Sequence, residues 1–276
     1  MSNAIVYSIH IDGELNDSLH IKELKYSIKT LRDYNKDIDV NIYISPSFKA
    51  DQLKINSCQV IGFDAVVDPN LPYQKMSRWI DHKWKTAFDS LEANGYDAVL
   101  MIDPDTIYFN DPELLFKKFN RSSKVYAQQE IWEDMLEVID LKRPQMNDGV
   151  VVINKDCLKF KQDIFWNRDS FVLDLIQKYN DIIDHDSIFW KTGIMWSSSQ
   201  YAVSEYFHEI QNPVEYYDNS VCFGLGLENF SNDKILEDNP DLIILHYTNF
   251  LVEYFLPKEY WDNNLFNHMA TEGIVI

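Results

Sequence analysis

Two carboxylates one residue apart in a turn can aim their oxygens at a single Mg2+ or Mn2+, and a cation held that way neutralises a pyrophosphate. The chain offers this spacing three times, at Asp37/Asp39, Asp103/Asp105 and Asp184/Asp186. Only Asp103-Pro104-Asp105 directly follows an uninterrupted apolar run, Ala98-Val99-Leu100-Met101-Ile102. Ligands of open α/β sheets gather at the carboxyl ends of such strands, so position singles out one pair from a spacing that chance also supplies. The competing reading of Asp-Pro-Asp-Thr is an ordinary turn with Asx hydrogen bonds.

The need for a cation fits the charge of the chain. A formal net charge of −19 repels phosphate backbones and anionic leaflets, which makes nucleic acid an unsuitable partner. A phosphate-bearing small molecule is still bindable where a metal or a few Lys and Arg side chains screen it. Cys58, Cys157 and Cys222 are far apart in the sequence, and their spacing spells neither a zinc cluster nor a disulfide framework. No apolar stretch reaches the roughly 18 residues that cross a bilayer, and the first thirty residues lack the blocks of a signal peptide. A cytoplasmic protein without a transmembrane segment is the expectation.

The elements that must position the pair read as alternating strands and helices. Strands are expected at 4–9, 40–44, 59–63, 98–102, 124–128 and 150–154, the first apolar enough to be buried and the fourth to lie centrally. Ile21, Leu24, Ile28 and Leu31 recur at helical spacing from a cap at Asp17 or Ser18. Met76, Ile80, Trp84, Ala87, Phe88 and Leu91 do the same up to Asn94-Gly95. Further helices are expected at Pro112 to Phe119 and Phe171 to Tyr179. Beyond Asn180 the pattern loosens into irregular structure packed on the sheet. With 46% hydrophobic residues and no linker, the chain reads as one α/β domain spanning 1–276, built on a mostly parallel sheet flanked by helices.

Val99-Leu100-Met101-Ile102-Asp103-Pro104-Asp105-Thr106-Ile107 with Asn110-Asp111 resembles the signature of GT-A-fold glycosyltransferases, in particular the glycogenin-like and galactosyltransferase-like group. Met146-Asn147-Asp148-Gly149-Val150-Val151-Val152-Ile153-Asn154 is similar to that group's asparagine-x-glycine-valine strand, which lines the sugar and acceptor pocket. Asp184-His185-Asp186 resembles its later acidic segment, and Leu245-His246-Tyr247 its strand-end histidine. The four occur in the family's order over roughly residues 4 to 250.

The resemblance implies metal ligands at Asp103, Asp105 and His246, with Asp103 also near the ribose, although a buried histidine satisfied by its neighbours is an equal reading of His246. It implies a nucleotide-base pocket at Ser8, Ile9 and His10. It also implies a donor-binding basic residue on the helix before the central strand, at Lys83 or, in competition, Arg78. Residues 1–110 would form a nucleotide-binding half and 111–276 an acceptor-binding half. Asp186 and Glu205 are candidates for a base at the acceptor hydroxyl, equally readable as caps or surface acids, and Asp148 in the pocket strand joins the candidate catalytic set. Two departures stand out. Asn249-Phe250 replaces the glycine and lysine that usually follow the C-terminal histidine, and Ser204-Glu205-Tyr206-Phe207 looks more like a motif of some bacterial and viral relatives of the fold.

The function so implied is transfer of a sugar from a nucleotide diphosphate, UDP before GDP, to an acceptor hydroxyl, with Mn2+ or Mg2+ as cofactor and glycan synthesis as the setting. Trp132, Trp166, Trp190 and Trp196 are placed to stack on sugars or, as the better reading, to pack in the core. One rival is a haloacid-dehalogenase-like phosphohydrolase, whose Asp-x-Asp normally opens its fold, whereas here strands and helices precede Asp103. A second rival is a noncatalytic carbohydrate-binding protein. There is no GxxxxGK[ST] loop, no GxSxG elbow and no HExxH pair, and eight glycines leave little for a glycine-cradled phosphate.

Overall fold

The computed structural model describes residues 2–11, 14–15, 18–64, 74–120, 123–130, 143–165, 174, 200–223 and 232–247, with the backbone alone for a few of these, among them 74–81. The helix expected at 171–179 and the four tryptophans named above lie outside the described residues, as do Asp184 and Asp186.

Strand β1 (Asn3–His10) takes the first apolar run and is buried along nearly its whole length. It lies between β2 (Asp39–Ser45) and β4 (Ala98–Ile102), parallel to both, and β3 (Gln59–Gly62) extends the parallel set beyond β2. On the other side of β4 comes β7 (Met146–Asn154), antiparallel, then β6 (Val125–Gln129) and the two-residue β8 (Glu215–Tyr216). The sheet has seven strands in the order β3-β2-β1-β4-β7-β6-β8.

Both faces are covered, which is why the strands read as continuous apolar runs instead of alternating ones. Ile5, Tyr7, Leu100, Ile102, Val150 and Val152 join the layer under helix α1 (Leu19–Tyr34), where Ile21, Leu24, Ile28 and Leu31 pack. Ala4, Val6, Val99, Met101, Val151 and Ile153 join the layer under helix α2 (Gln74–Asn94), with Trp84, Ala87, Phe88 and Leu91. Each such fully buried side chain contributes about 1.5–3 kcal/mol. Gly95, which follows α2, has φ +67°, a left-handed conformation that stops a helix most cheaply at glycine. Ser18 occupies the N-cap of α1, and Pro112 precedes the short helix α3 (Glu113–Lys118).

A second sheet was not legible beforehand. The turn at Asp103 runs into β5 (Thr106–Tyr108), which pairs antiparallel with β10 (Ile244–His246); β9 (Val221–Phe223) completes three strands. Residues 200–209 are helical, so the described part of the C-terminal region is more regular than its composition suggested. Among the described residues no helix is long and apolar enough to cross a membrane.

Glu23 of α1 is fully buried against His20 (Nδ1 to Oε2, 3.3 Å). Burial raises its carboxyl to about 7 from 4.5, partly opposed by the hydrogen bond with His20. Because the folded value is the higher one, the folded state holds this proton more tightly. The resulting stability is complete below about pH 4.5 and is lost as pH rises through 7. Urea denaturation is therefore expected to show the unfolding free energy of the natural chain falling by about 2 kcal/mol between pH 5 and pH 8 from this group. In Glu23→Gln that fall should disappear. An unchanged pH slope in the variant would locate the titration elsewhere.

Candidate functional site

The site lies at the carboxyl rim of the sheet, where β1 and β4 end side by side with Tyr7 opposite Ile102. The β4–β7 ladder carries one bond further, from the Asp103 amide to the Gly149 carbonyl at 2.8 Å. Thr106 then closes the turn, its hydroxyl donating to the Asp103 carbonyl at 2.8 Å. Behind Thr106 a buried chain of hydroxyls runs through Ser27 (2.9 Å) to Tyr7 (2.8 Å) and Tyr108 (3.3 Å). Asp-Pro-Asp-Thr thus does form a turn, closed by the Thr hydroxyl, which leaves the Asp side chains to project.

His246 reaches the pair because β10 puts it opposite Thr106, and the Tyr247 amide donates to the Asp105 carbonyl at 3.1 Å. Its Nε2 lies 3.4 Å from Asp105 Oδ1 and 3.9 Å from Asp103 Oδ2. The imidazole covers Gly149 so closely that a Cβ there would overlap Cε1 and Nδ1 and stand 2.8 Å from Nε2. A glycine is required at 149 for the histidine to enter.

Lys83 approaches from α2. Its ammonium is 2.7 Å from Asp103 Oδ1 and 2.9 Å from Asp148 Oδ1, and the Trp84 indole donates to Asp148 Oδ2 at 3.2 Å. Asp103 is therefore shared, with Oδ1 on the lysine and Oδ2 on the histidine side.

Electrostatics follow from this crowding. The Lys83 ammonium is raised; burial opposes the charge, but Asp103 and Asp148 outweigh it. His246 is raised likewise, burial being overcome by Asp105 first and then Asp103. Burial raises the carboxyl of Asp103, Lys83 opposes, and Asp105 adds to the rise. Asp105 is lowered despite burial because His246 stands against it. Asp105 is thus held ionised beside the His246 ring.

Asp103, Asp105 and His246 bring one ligand atom each to within 4.8 Å of one another. Two carboxylate oxygens and an imidazole nitrogen suit a hard to borderline divalent cation such as Mn2+ or Mg2+. The donor set fits the metal that the sequence implied.

The remaining expected residues fall as follows. Ser8, Ile9 and His10 end β1 on the same rim, in register with Tyr43, Ile44 and Ser45. Arg78 lies in α2, its side chain outside the described set. Glu205, in the helical stretch, is held by Gln145 Nε2 at 2.6 Å and by Arg143 at 3.8 Å, not by the Asp103–Asp105–His246 group. Sequence reasoning missed Glu130 and Gln200, which join Asp148 from behind. An acid one residue past the end of a strand was the available signal for Glu130; Gln200 gave none.

No family model matches the chain, and no curated protein matches its sequence. Solved structures do resemble it. The galactosyltransferase LgtC in complex with donor and acceptor sugar analogues superimposes with a TM-score of 0.51 at 13% identity, over 99% of this chain and 97% of that one. Mouse xyloside xylosyltransferase 1 in its apo form gives 0.51 at 10% identity, over 92% and 99%. The glycosyltransferase GlyE of Streptococcus pneumoniae gives 0.51 at 15%, over 98% of this chain and 63% of that one. The fold is that of GT-A nucleotide-sugar glycosyltransferases.

Proposed function

We propose that a chain with this fold and this rim is a metal-dependent glycosyltransferase, moving a sugar from a nucleotide diphosphate, UDP before GDP, to an acceptor hydroxyl. The observation that carries the reading is the convergence of Asp103, Asp105 and His246 at the strand ends of the central sheet. Asp103 through Oδ2, Asp105 through Oδ1 and His246 through Nε2 would hold Mn2+ or Mg2+. When bound, the cation supplies positive charge to the departing diphosphate.

The chain's own residues do the rest. Lys83 adds a fixed ammonium beside Asp103, on the side away from His246. Ser8, Ile9 and His10, on the adjoining strand end, border the base in the nucleotide-binding half, 1–110, with Asp103 near the ribose. Residues 111–276 supply the acceptor half. Asp148 is occupied by Lys83 and Trp84 and so serves to orient more readily than to accept a proton. Asp186 and Glu205 stay as candidates for the group that takes the acceptor proton.

The test is calorimetric titration of the full chain with UDP and GDP, with and without Mn2+, followed by assays for UDP release from UDP-sugars. Nucleotide binding that appears only with the metal is expected. Binding of neither nucleotide under any metal would overturn the reading in favour of a noncatalytic role.

A further inference from the structure

The strand that carries Asp148 and Gly149 is irregular where it meets the site. Along β6, Ala127 pairs with Val151, but the next residue, Gln128, pairs with Asn147. Residues 148–150 therefore bulge out of the β6 ladder. On the other side, β4 ends opposite Val150, so the Asp148 amide has no strand to donate to. A buried amide needs a partner nonetheless, and bulges of this kind serve to re-aim a side chain.

The partner is a side chain. The Asp148 amide donates to Gln200 Oε1 at 3.1 Å, and Gln200 Nε2 donates to Glu130 Oε2 at 2.7 Å. Asn147 Nδ2 stands 3.5 Å from the same Glu130 oxygen, while Asn147 Oδ1 accepts the Gly149 amide at 3.0 Å. Glu130 is 3% exposed and Gln200 5%. An ionised carboxylate only accepts, so Glu130 dictates which end of the Gln200 amide faces Asp148. Burying a carboxylate is costly unless it is well bonded, and an apolar filler would leave the Asp148 amide unmet.

We propose that Glu130 and Gln200 are positioning residues: they lock the bulge so that the Asp148 carboxylate holds Lys83 against Asp103. Neither touches the metal-ligand group itself; both act through Asp148. The functional meaning of the clamp rests on the donor-site reading above. Without it, only Trp84 and Lys83 hold Asp148, and a shift of its backbone loosens the grip that keeps Lys83 against Asp103.

The decisive comparison is an exchange of the two groups, with Mn2+ affinity, Mn2+-dependent UDP affinity and melting midpoint measured on the full chain at pH 8. Gln200→Glu sets two carboxylates against each other and is expected to weaken Mn2+ and UDP binding about 10- to 100-fold. Adding Glu130→Gln to it should restore both to within about threefold of the natural chain, since the new carboxylate accepts from the Asp148 amide and from the new amide at 130 together. If the single variant fails to fold, the exchanged pair decides alone. An exchanged pair that binds no better than the single variant, or that recovers its melting midpoint but not its Mn2+ affinity, overturns the positioning role. Natural chain that binds neither Mn2+ nor UDP sinks the donor-site reading and this role with it.

Discussion

Asp105→Ala is expected to weaken Mn2+ binding at least about 100-fold and to erase metal-dependent UDP binding from the calorimeter. Altering the groups behind a metal ligand already costs 10- to 100-fold, and this change removes a ligand. The fold should tolerate it. The backbone carbonyl of Asp105, which accepts the Tyr247 amide, is kept, and a buried carboxylate that crowds Asp103 is lost. His246 loses its nearest carboxylate partner, so the metal-free variant is expected to melt only slightly lower than the natural chain. What disappears is the rise in melting temperature that Mn2+ gives by binding the native state alone. Loss of metal-dependent binding far out of proportion to the small loss of stability marks a site. A variant that keeps natural UDP affinity in Mn2+ would show that the cation binds elsewhere.

Gly149→Ala is expected to be the most destabilising single methyl group in the site, costing about 3 kcal/mol or more. The added Cβ falls on the His246 ring, and neither partner has an easy way to yield. Gly149 is tied by its amide to Asn147 and by its carbonyl to Asp103, and His246 is 4% exposed and fixed in β10. Forcing atoms into a packed interior typically costs 1–3 kcal/mol, and the overlap here is with a ring held on both sides. Should the ring be expelled instead, Mn2+ affinity would fall with it. The clash hypothesis makes a sharper demand on a double variant: with His246→Ala also present, Gly149→Ala should cost under about 1 kcal/mol, a strong departure from additivity. Equal costs of Gly149→Ala in both backgrounds, measured by urea denaturation, would mean that the ring is not the obstacle.

The acidic pair was legible because its chemistry is local. Asp103 and Asp105 sit in one short turn, and the five apolar residues before them announce a buried strand whose end must be a rim. The same locality made β1, α1 and α2 readable, since a period of apolar side chains is a property of neighbouring residues. Lys83 was legible only as a basic residue on the right helix; that it bridges Asp103 to Asp148 depends on how α2 is set against β7. His246 stood balanced between ligand and core histidine until β10 was seen to pair with β5.

Gln200 was not legible at all, and Glu130 only as an acid just past a strand end. Their meeting depends on a three-residue bulge in β7, and nothing in the Met146-Asn147-Asp148-Gly149 run distinguishes a bulged strand from a straight one. The three-stranded sheet was hidden for a related reason: all three of its strands are three-residue stretches too short to show a period. Residue type and short-range spacing, which act through the covalent chain, thus determined six strands of the main sheet, helices α1 to α3 and the acidic pair. Long-range strand pairing decided which distant side chains, His246, Asp148, Glu130 and Gln200, close around that pair, because contacts across a sheet are set by register and packing between segments and leave no trace in either segment alone.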